Sequence, residues 1–221
     1  MKKELIKRLL SSIIIIPVAL LFIINGSLFF IFFLSILSLI ASYEWIKMNK
    51  KKYLINFFGI IFIFCSFYLA FLLRNFAGLN FFIFTILICV FTDLGGYVFG
   101  KLFKGPKLTK ISPNKTYSGV IGSFILPTIV GLIYFNQLSL PLGVIVPLKL
   151  AVISNNQELT LLFFILSISI ISQVGDLIIS YFKRLAKVKD TGKILPGHGG
   201  VLDRIDGLIF ALPLSYLFLI F

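Results

Sequence analysis

Acidic side chains are scarce in this sequence. Only 8 Asp and Glu stand against 21 Lys and Arg in 221 residues, and charged residues of both signs make up 13% of the chain. A water-soluble domain carries about 25% charged residues, so the shortage excludes an ordinary soluble surface. Cysteine is almost absent too. Cys65 and Cys89 lie inside apolar runs without CxxC or zinc-ligand spacing, so both read as small buried hydrophobes. Neither a low-complexity linker nor a repeat strong enough for an inverted-repeat transporter is visible. What the chain has in excess is apolar surface: 59% of residues are hydrophobic, 16% aromatic, and the mean hydropathy is +1.07. One core cannot hide that much, so the expectation is an all-α, polytopic integral membrane helix bundle. The net charge of +13 would otherwise suggest nucleic acid. Its spread through short segments between apolar runs is instead what positive-inside sorting produces, and nucleic acid drops out as a partner.

Seven segments are long and apolar enough to span a bilayer, which takes about 20 residues. They run from Leu9 to Ile24, Ser27 to Trp45, Tyr53 to Leu73, Phe76 to Phe99, Tyr117 to Phe135, Thr160 to Phe182 and Val201 to Phe221. The start, MKKELIKR, looks like the basic region of a signal peptide, but no small-residue cleavage site follows. The first span is therefore expected to stay uncleaved. A shorter run, Pro141 to Ile153, is broken by Pro147 and Lys149 and reads as interfacial or re-entrant. Asn25 and Gly26 alone join the first two spans, predicting a tight helical hairpin. With the N-terminus in the cytoplasm, every basic residue except Arg74 and Lys149 falls on the cytoplasmic side. The whole chain reads as one membrane domain, with N-terminal helices over 1–90 and a catalytic region over 91–221.

Four acids then share one depth. Asp93 and Asp176 each lie six residues before the cytoplasmic end of a span, about 9 Å inside at 1.5 Å per residue, and Asp203 and Asp206 open the last span. A carboxylate at membrane depth costs at least about 2.5 kcal/mol, so acids there usually face a polar cavity and mark function. Asp203 and Asp206, three residues apart, fall on one helix face. Paired carboxylates are what Mg²⁺ uses when it also binds substrate phosphates. The simpler alternative, neutralisation of each acid by Arg184, Arg204 or a lysine, stays open, most of all for Asp93. Between Asp176 and Asp203, Lys183, Arg184, Lys189 and Arg204 alternate with Asp190, Gly192, Pro196, Gly197, Gly199 and Gly200. Glycines let backbone amides approach phosphate oxygens and the cations neutralise them. His198, the only histidine, is flanked by glycines and suits a phosphate contact or proton transfer.

From Ser180 to Asp206 the chain reads SYFKRLAKVKDTGKILPGHGGVLDRID, which closely resembles the signature of the phosphatidate cytidylyltransferases, or CDP-diacylglycerol synthases. Ser180, Lys183, Arg184, Lys189, Asp190, Gly192, Leu195, Pro196, His198, Gly199, Gly200, Asp203, Arg204 and Asp206 all match the family pattern, and Gly175 with Asp176 match the Gly-Asp pair that precedes it. An earlier region resembles the family more loosely, through Asp93, Gly96, Tyr97, Gly100, Lys101, Ser112, Pro113, Asn114, Lys115, Thr116 and Gly119. There Lys101 replaces the usual arginine, Asn114 a lysine and Ser118 a glutamate.

The resemblance implies that CTP and phosphatidic acid give CDP-diacylglycerol and pyrophosphate. It implies Asp176 and Asp203 as Mg²⁺ ligands, with a second cation such as K⁺, and Asp206 in support. Lys183, Arg184, Lys189 and Arg204 would clamp phosphates, and Pro196 to Gly200 would line the nucleotide. Asp93, Ser112 and Lys115 would contact substrate. It also suggests a homodimer, and the charge pattern puts the site on the cytoplasmic side of the cell membrane. Competing readings are an ether-lipid cytidylyltransferase, a CTP-dependent polyprenol kinase, and an ion-coupled transporter, which would leave the Gly- and Lys-rich loop unexplained.

Overall fold

A computed structural model of the chain describes residues 2–50, 52–109, 112, 115–138, 157–195, 197 and 199–220. Over these it is built of α-helices, with only isolated two-residue bridges between extended segments. The helices are α1 (Lys2–Asn25), α2 (Ser27–Met48), α3 (Tyr53–Phe103), α4 (Tyr117–Leu138), α5 (Gln157–Leu185), α6 (Leu202–Ile205) and α7 (Leu208–Ile220). Among the described residues, α2, α3, α4 and α5 are each long and apolar enough to cross a membrane, and shorter apolar helices cover Ile13–Asn25 and Leu208–Ile220. The expected all-α polytopic membrane architecture is what the chain adopts. Large apolar side chains such as Phe29, Phe58, Leu54 and Ile133 lie on its outside, a surface that acyl chains tolerate and water does not. The stretch Pro141 to Ile153 falls outside the described residues.

The chain divides into two compact units, one of residues 1–71 with 181–206, the other of 72–180 with 207–221. In the first, Gly26 takes φ 63°, a left-handed value open to glycine, and turns α1 directly into α2. Phe22 stacks on Phe33 at 5.4 Å across the hairpin. Trp45 anchors the unit from the end of α2. Its indole N–H donates to the Ile55 carbonyl at 3.2 Å, its ring meets Phe182 edge-on at 4.9 Å, and it lies against Gly59. A Cβ at Gly59 would fall 2.0 Å from the indole nitrogen, so only glycine fits there.

The second unit packs the C-terminal half of α3 against α4, α5 and α7. Phe81, Phe84 and Phe164 are fully buried and in mutual ring contact, with Phe218 capping Phe164 at 5.4 Å. Elsewhere in this unit the packing is polar: Thr92 donates to Ser169 at 3.0 Å and both are completely buried. Gly95 and Gly96 on α3 face Gly119 and Gly122 on α4, so closely that a Cβ on Gly95 would lie 2.3 Å from the Gly122 carbonyl oxygen. Small residues permit such backbone approach in membranes, where packing rather than hydrophobicity draws helices together.

The third and fourth expected spans share α3. Its backbone leaves the helical region only at Gly78 (φ 82°, ψ 174°), past the Arg74 and Asn75 that separate the apolar runs. The last expected span begins with the single turn α6 and restarts after Gly207, where a Cβ would sit 2.4 Å from the Ser172 hydroxyl.

Candidate active site

The signature loop begins where α5 stops. Val188 N–H donates to the Lys183 carbonyl and Lys187 N–H to the Arg184 carbonyl, both at 3.0 Å, with Lys187 left-handed at φ 56°. This is the Schellman pattern, which satisfies the last carbonyls of a helix. Glycine usually takes the left-handed position, and a lysine there costs about 1–2 kcal/mol. Further on, Leu195 N–H donates to the Gly199 carbonyl at 3.0 Å and pinches the chain into a narrow turn. Gly197 (φ 79°) and Gly199 (φ 87°) supply the positive φ angles it requires. Pro196 and His198, expected at the nucleotide, lie outside the described residues.

Asp203 closes the loop from its far end. Its Oδ1 accepts from the Lys183 ammonium at 2.9 Å, and its Oδ2 accepts from Thr191 N–H at 2.8 Å and Gly200 N–H at 3.0 Å. Both side chains are well covered, Lys183 12% and Asp203 7% exposed. One carboxylate thus ties together the end of α5, the middle of the loop and the start of α6. Arg184, Lys189 and Arg204 stay exposed, with the Arg184 guanidinium reaching the Val188 carbonyl at 3.5 Å.

A second carboxylate lies beneath the same loop, and the sequence reading overlooked it. Glu44, on α2 and completely buried, accepts from the Thr191 hydroxyl at 3.0 Å, Val201 N–H at 3.0 Å and Leu202 N–H at 2.8 Å. The two amides belong to Val201, the cap of α6, and Leu202, its first residue, and neither has a partner inside the helix. A Cβ on Gly192 would meet Glu44 Oε1 at 2.3 Å, and one on Gly200 would meet Oε2 at 2.5 Å. Two of the signature glycines are therefore explained by clearance for Glu44. The signal was available: Glu44 is an acid at the end of an apolar span, the criterion that selected Asp93 and Asp176.

In the other unit, Asp176 on α5 pairs with Lys115. The Lys115 ammonium lies 2.6 Å from Asp176 Oδ2, and the Ser180 hydroxyl, one turn along α5, donates to Oδ1 at 3.2 Å. Lys115 and Asp176 are 27% and 26% exposed, open enough for exchange with solvent or ligand. The segment before α4 holds Lys115 in place. Leu108 N–H donates to the Lys115 carbonyl at 2.8 Å, Lys115 N–H to the Ser112 carbonyl at 3.1 Å, and Ser112 N–H to the Thr109 hydroxyl at 3.2 Å. Thr116 caps α4 by accepting from Gly119 N–H at 3.2 Å. Ser118, at the position usually held by glutamate, donates instead to the Lys104 carbonyl and shares a 3.0 Å hydrogen bond with Thr116, fastening the basic turn to the helix start. Asn114 and Pro113 lie outside the described residues. Asp93 is exposed on α3, and Asp206 is half-buried just after α6.

Each principal acid thus has a cationic partner, Lys183 for Asp203 and Lys115 for Asp176. Pairing with a lysine, one of the alternatives the sequence leaves open for these acids, is thus present at both Asp176 and Asp203. Among the described residues, no group of three or more His, Cys, Asp or Glu side chains gathers as a metal centre. Mg²⁺ does not need one, since it commonly keeps several waters and takes one or two carboxylates beside substrate phosphates. The donor chemistry fits: Asp176 Oδ2 and Asp203 Oδ1 are hard oxygens whose present partner is an ammonium ion.

The chain matches the Cytidylyltransferase family over residues 51–221, a range that takes in both lysine–aspartate pairs and the signature loop. It is 42% identical over 146 residues to a phosphatidate cytidylyltransferase of Staphylococcus saprophyticus, covering 65% of this chain and 50% of the relative. To the enzyme of that name from Brucella suis it is 43% identical over 128 residues, 58% of this chain and 42% of the relative. The Staphylococcus aureus protein of the same name is 40% identical over 146 residues, with 65% and 50% covered. The chain spans about half the length of these curated relatives. With the match extending over most of its own length, the chain belongs to the cytidylyltransferase family.

Proposed function

We propose that this protein transfers CMP from CTP to phosphatidic acid, releasing pyrophosphate and forming CDP-diacylglycerol. The observation that carries the reading is the folded signature loop: a glycine-rich segment stretched over two carboxylates, with Arg184, Lys189 and Arg204 left exposed. Relatives that bear the name phosphatidate cytidylyltransferase support the choice of substrates.

The chemistry joins two polyanions. A phosphate oxygen of the lipid attacks the α-phosphorus of CTP, the bond from that phosphorus to the bridging oxygen breaks, and pyrophosphate leaves. Little covalent work falls to the protein, so rate comes from alignment and charge neutralisation. Arg184, Lys189 and Arg204 bind phosphate oxygens. Lys183 and Lys115, each held by a carboxylate, are poised to exchange part of that contact for an incoming phosphate. Asp176 and Asp203, each within its own unit, are the carboxylates proposed for Mg²⁺, with Asp206 in support and K⁺ as a second cation. Bound Mg²⁺ would supply neutralisation of charge on the phosphates being cleaved. Gly197, Gly199, Pro196 and His198 line the nucleotide, while Asp93 and Ser112 contact substrate.

The positive-inside pattern supports a cytoplasmic N-terminus and a site on the cytoplasmic face of the cell membrane, where CTP is found. The family resemblance supports a homodimer. Lys193 is exposed within the loop, so Lys193→Cys in spheroplasts is expected to react with an impermeant maleimide only after the membrane is opened. Labelling of intact spheroplasts would reverse the orientation. For the reaction itself, purified protein is given CTP labelled in the α-phosphate and vesicles containing phosphatidic acid. Label is expected to enter the organic phase with one pyrophosphate released per lipid. Label recovered as CDP would identify a kinase and overturn the proposal.

A further inference from the structure

Glu44 stands far from the signature in sequence, yet its carboxylate is completely buried against the loop and receives three hydrogen bonds, none of them from a cation. The bonds are divided between its oxygens. Oε1 takes Val201 N–H, and Oε2 takes Leu202 N–H and the Thr191 hydroxyl. Asp203 grips the same two stretches of chain through the neighbouring amides, Thr191 N–H and Gly200 N–H. Thr191 and the 200–202 segment are thereby held by two carboxylates.

We propose that Glu44 is a positioning residue for nucleotidyl transfer: it presets the signature loop so that Asp203 and Lys183 are held in place before substrate arrives. The inference rests on the function proposed above. Every backbone group that Glu44 meets is an N–H donor, and only a side chain with acceptors on both of its ends satisfies them. A glutamine would turn an NH₂ toward Val201 N–H or toward Leu202 N–H, leaving a buried donor opposed by another donor. The Thr191 hydroxyl can rotate to relieve its own contact, but the two amides cannot. Glu44 touches no reacting atom, so its effect is transmitted through the loop.

The experiment compares Glu44→Gln, Glu44→Asp and Thr191→Val in the full-length chain, purified in lipid nanodiscs and checked for helical content and monodispersity. One measurement is the maleimide reaction rate of Lys193→Cys placed in each background without substrate. The other is kcat, with KM for CTP and for phosphatidic acid. Glu44→Gln is expected to raise the labelling rate by roughly tenfold and to lower kcat by at least about thirtyfold, with KM for phosphatidic acid changed less than about threefold. Glu44→Asp keeps both acceptors and should recover part of kcat. A merely structural Glu44 would reduce the yield of folded protein while the folded fraction labelled and turned over like wild type, and that result would overturn the proposal. Should Glu44→Gln not fold, Thr191→Val, which removes one donor and keeps the side-chain shape, carries the same labelling test with a smaller expected rise. The labelling arm needs no turnover. An inactive wild-type protein whose loop still loosens on Glu44→Gln would discard the assigned reaction and retain Glu44 as loop anchor, whereas unchanged labelling would discard the anchor whatever the activity.

Discussion

Asp203→Asn is expected to reduce the proposed CTP-dependent turnover by at least about a hundredfold while the protein remains helical and inserted in the membrane. Asp203 receives an ammonium group on one oxygen and two backbone amides on the other, and its side chain is 7% exposed. Asparagine has a single acceptor oxygen. If that oxygen faces the amides, the NH₂ points at the Lys183 ammonium 2.9 Å away; if it faces Lys183, two buried N–H groups lose their acceptor. Removing one member of a covered ion pair leaves the other uncompensated, at a cost of about 3–5 kcal/mol. That cost falls on the loop, since all three partners lie between Lys183 and Gly200 and none belongs to the packed span interiors. Lys183→Met in the same background tests the coupling. With the ammonium gone, the asparagine oxygen is free to serve the amides, so the double variant should be less destabilised than the sum of the single ones. Turnover of Asp203→Asn above about a tenth of wild type would remove Asp203 from the site.

Hydropathy located the helices well because the bilayer imposes it residue by residue: a span must hold about 20 apolar side chains wherever they pack. It did not locate the bend in α3. Arg74 and Asn75 interrupt the apolar run, yet the helix continues through both, because a polar side chain only marks where the chain can meet water. The backbone departs at Gly78, where φ is positive and nothing lies within 4 Å of an added Cβ. The Lys183, Ser180 and Asp203 positions were legible because they are contiguous with a recognisable signature. For Glu44 only its depth, an acid at the end of an apolar span, was legible; its role was not, because its partners Thr191, Val201 and Leu202 are brought to it by tertiary packing alone. Its single carboxylate gives no spacing to read. The glycines show the same limit. Gly96 and Gly100 stand four apart, a small-residue spacing that the sequence reading did not use and that names no partner by itself. Here both meet Gly119 of the same chain.

Gly122→Val is expected to have the largest effect on the fold. A Cβ at this position would lie 2.3 Å from both Cβ and Cγ of Phe99 and 2.6 Å from the Gly95 carbonyl oxygen. Reciprocally, Gly95 has the Gly122 carbonyl 2.3 Å from its own added Cβ, and Gly119 has the Gly96 carbonyl at 2.7 Å. The Gly95 carbonyl is backbone and the Phe99 Cβ is fixed to it, so no rotamer change moves either and α3 and α4 must separate. Overpacking of this kind costs about 1–3 kcal/mol, and a β-branched side chain in a helix-to-helix contact belongs at the upper end. The damage should reach the chemistry as well. Thr116 caps α4 one residue after Lys115, and the 2.6 Å contact from Lys115 to Asp176 leaves no slack for a shift of the helix start. At roughly 2–4 °C per kcal/mol for a chain of this size, Gly122→Val should lower the thermal midpoint in detergent by about 5–10 °C. The proposed cytidylyl transfer should be lost with it. Gly78→Ala is the informative control, because there the added Cβ meets no atom and only the positive φ is strained. It should cost about 1 kcal/mol, and its turnover should follow the fraction that stays folded. A Gly122→Val protein with an unchanged midpoint would mean that α3 and α4 do not cross at backbone contact, and the placement of Lys115 beside Asp176 would then need another support.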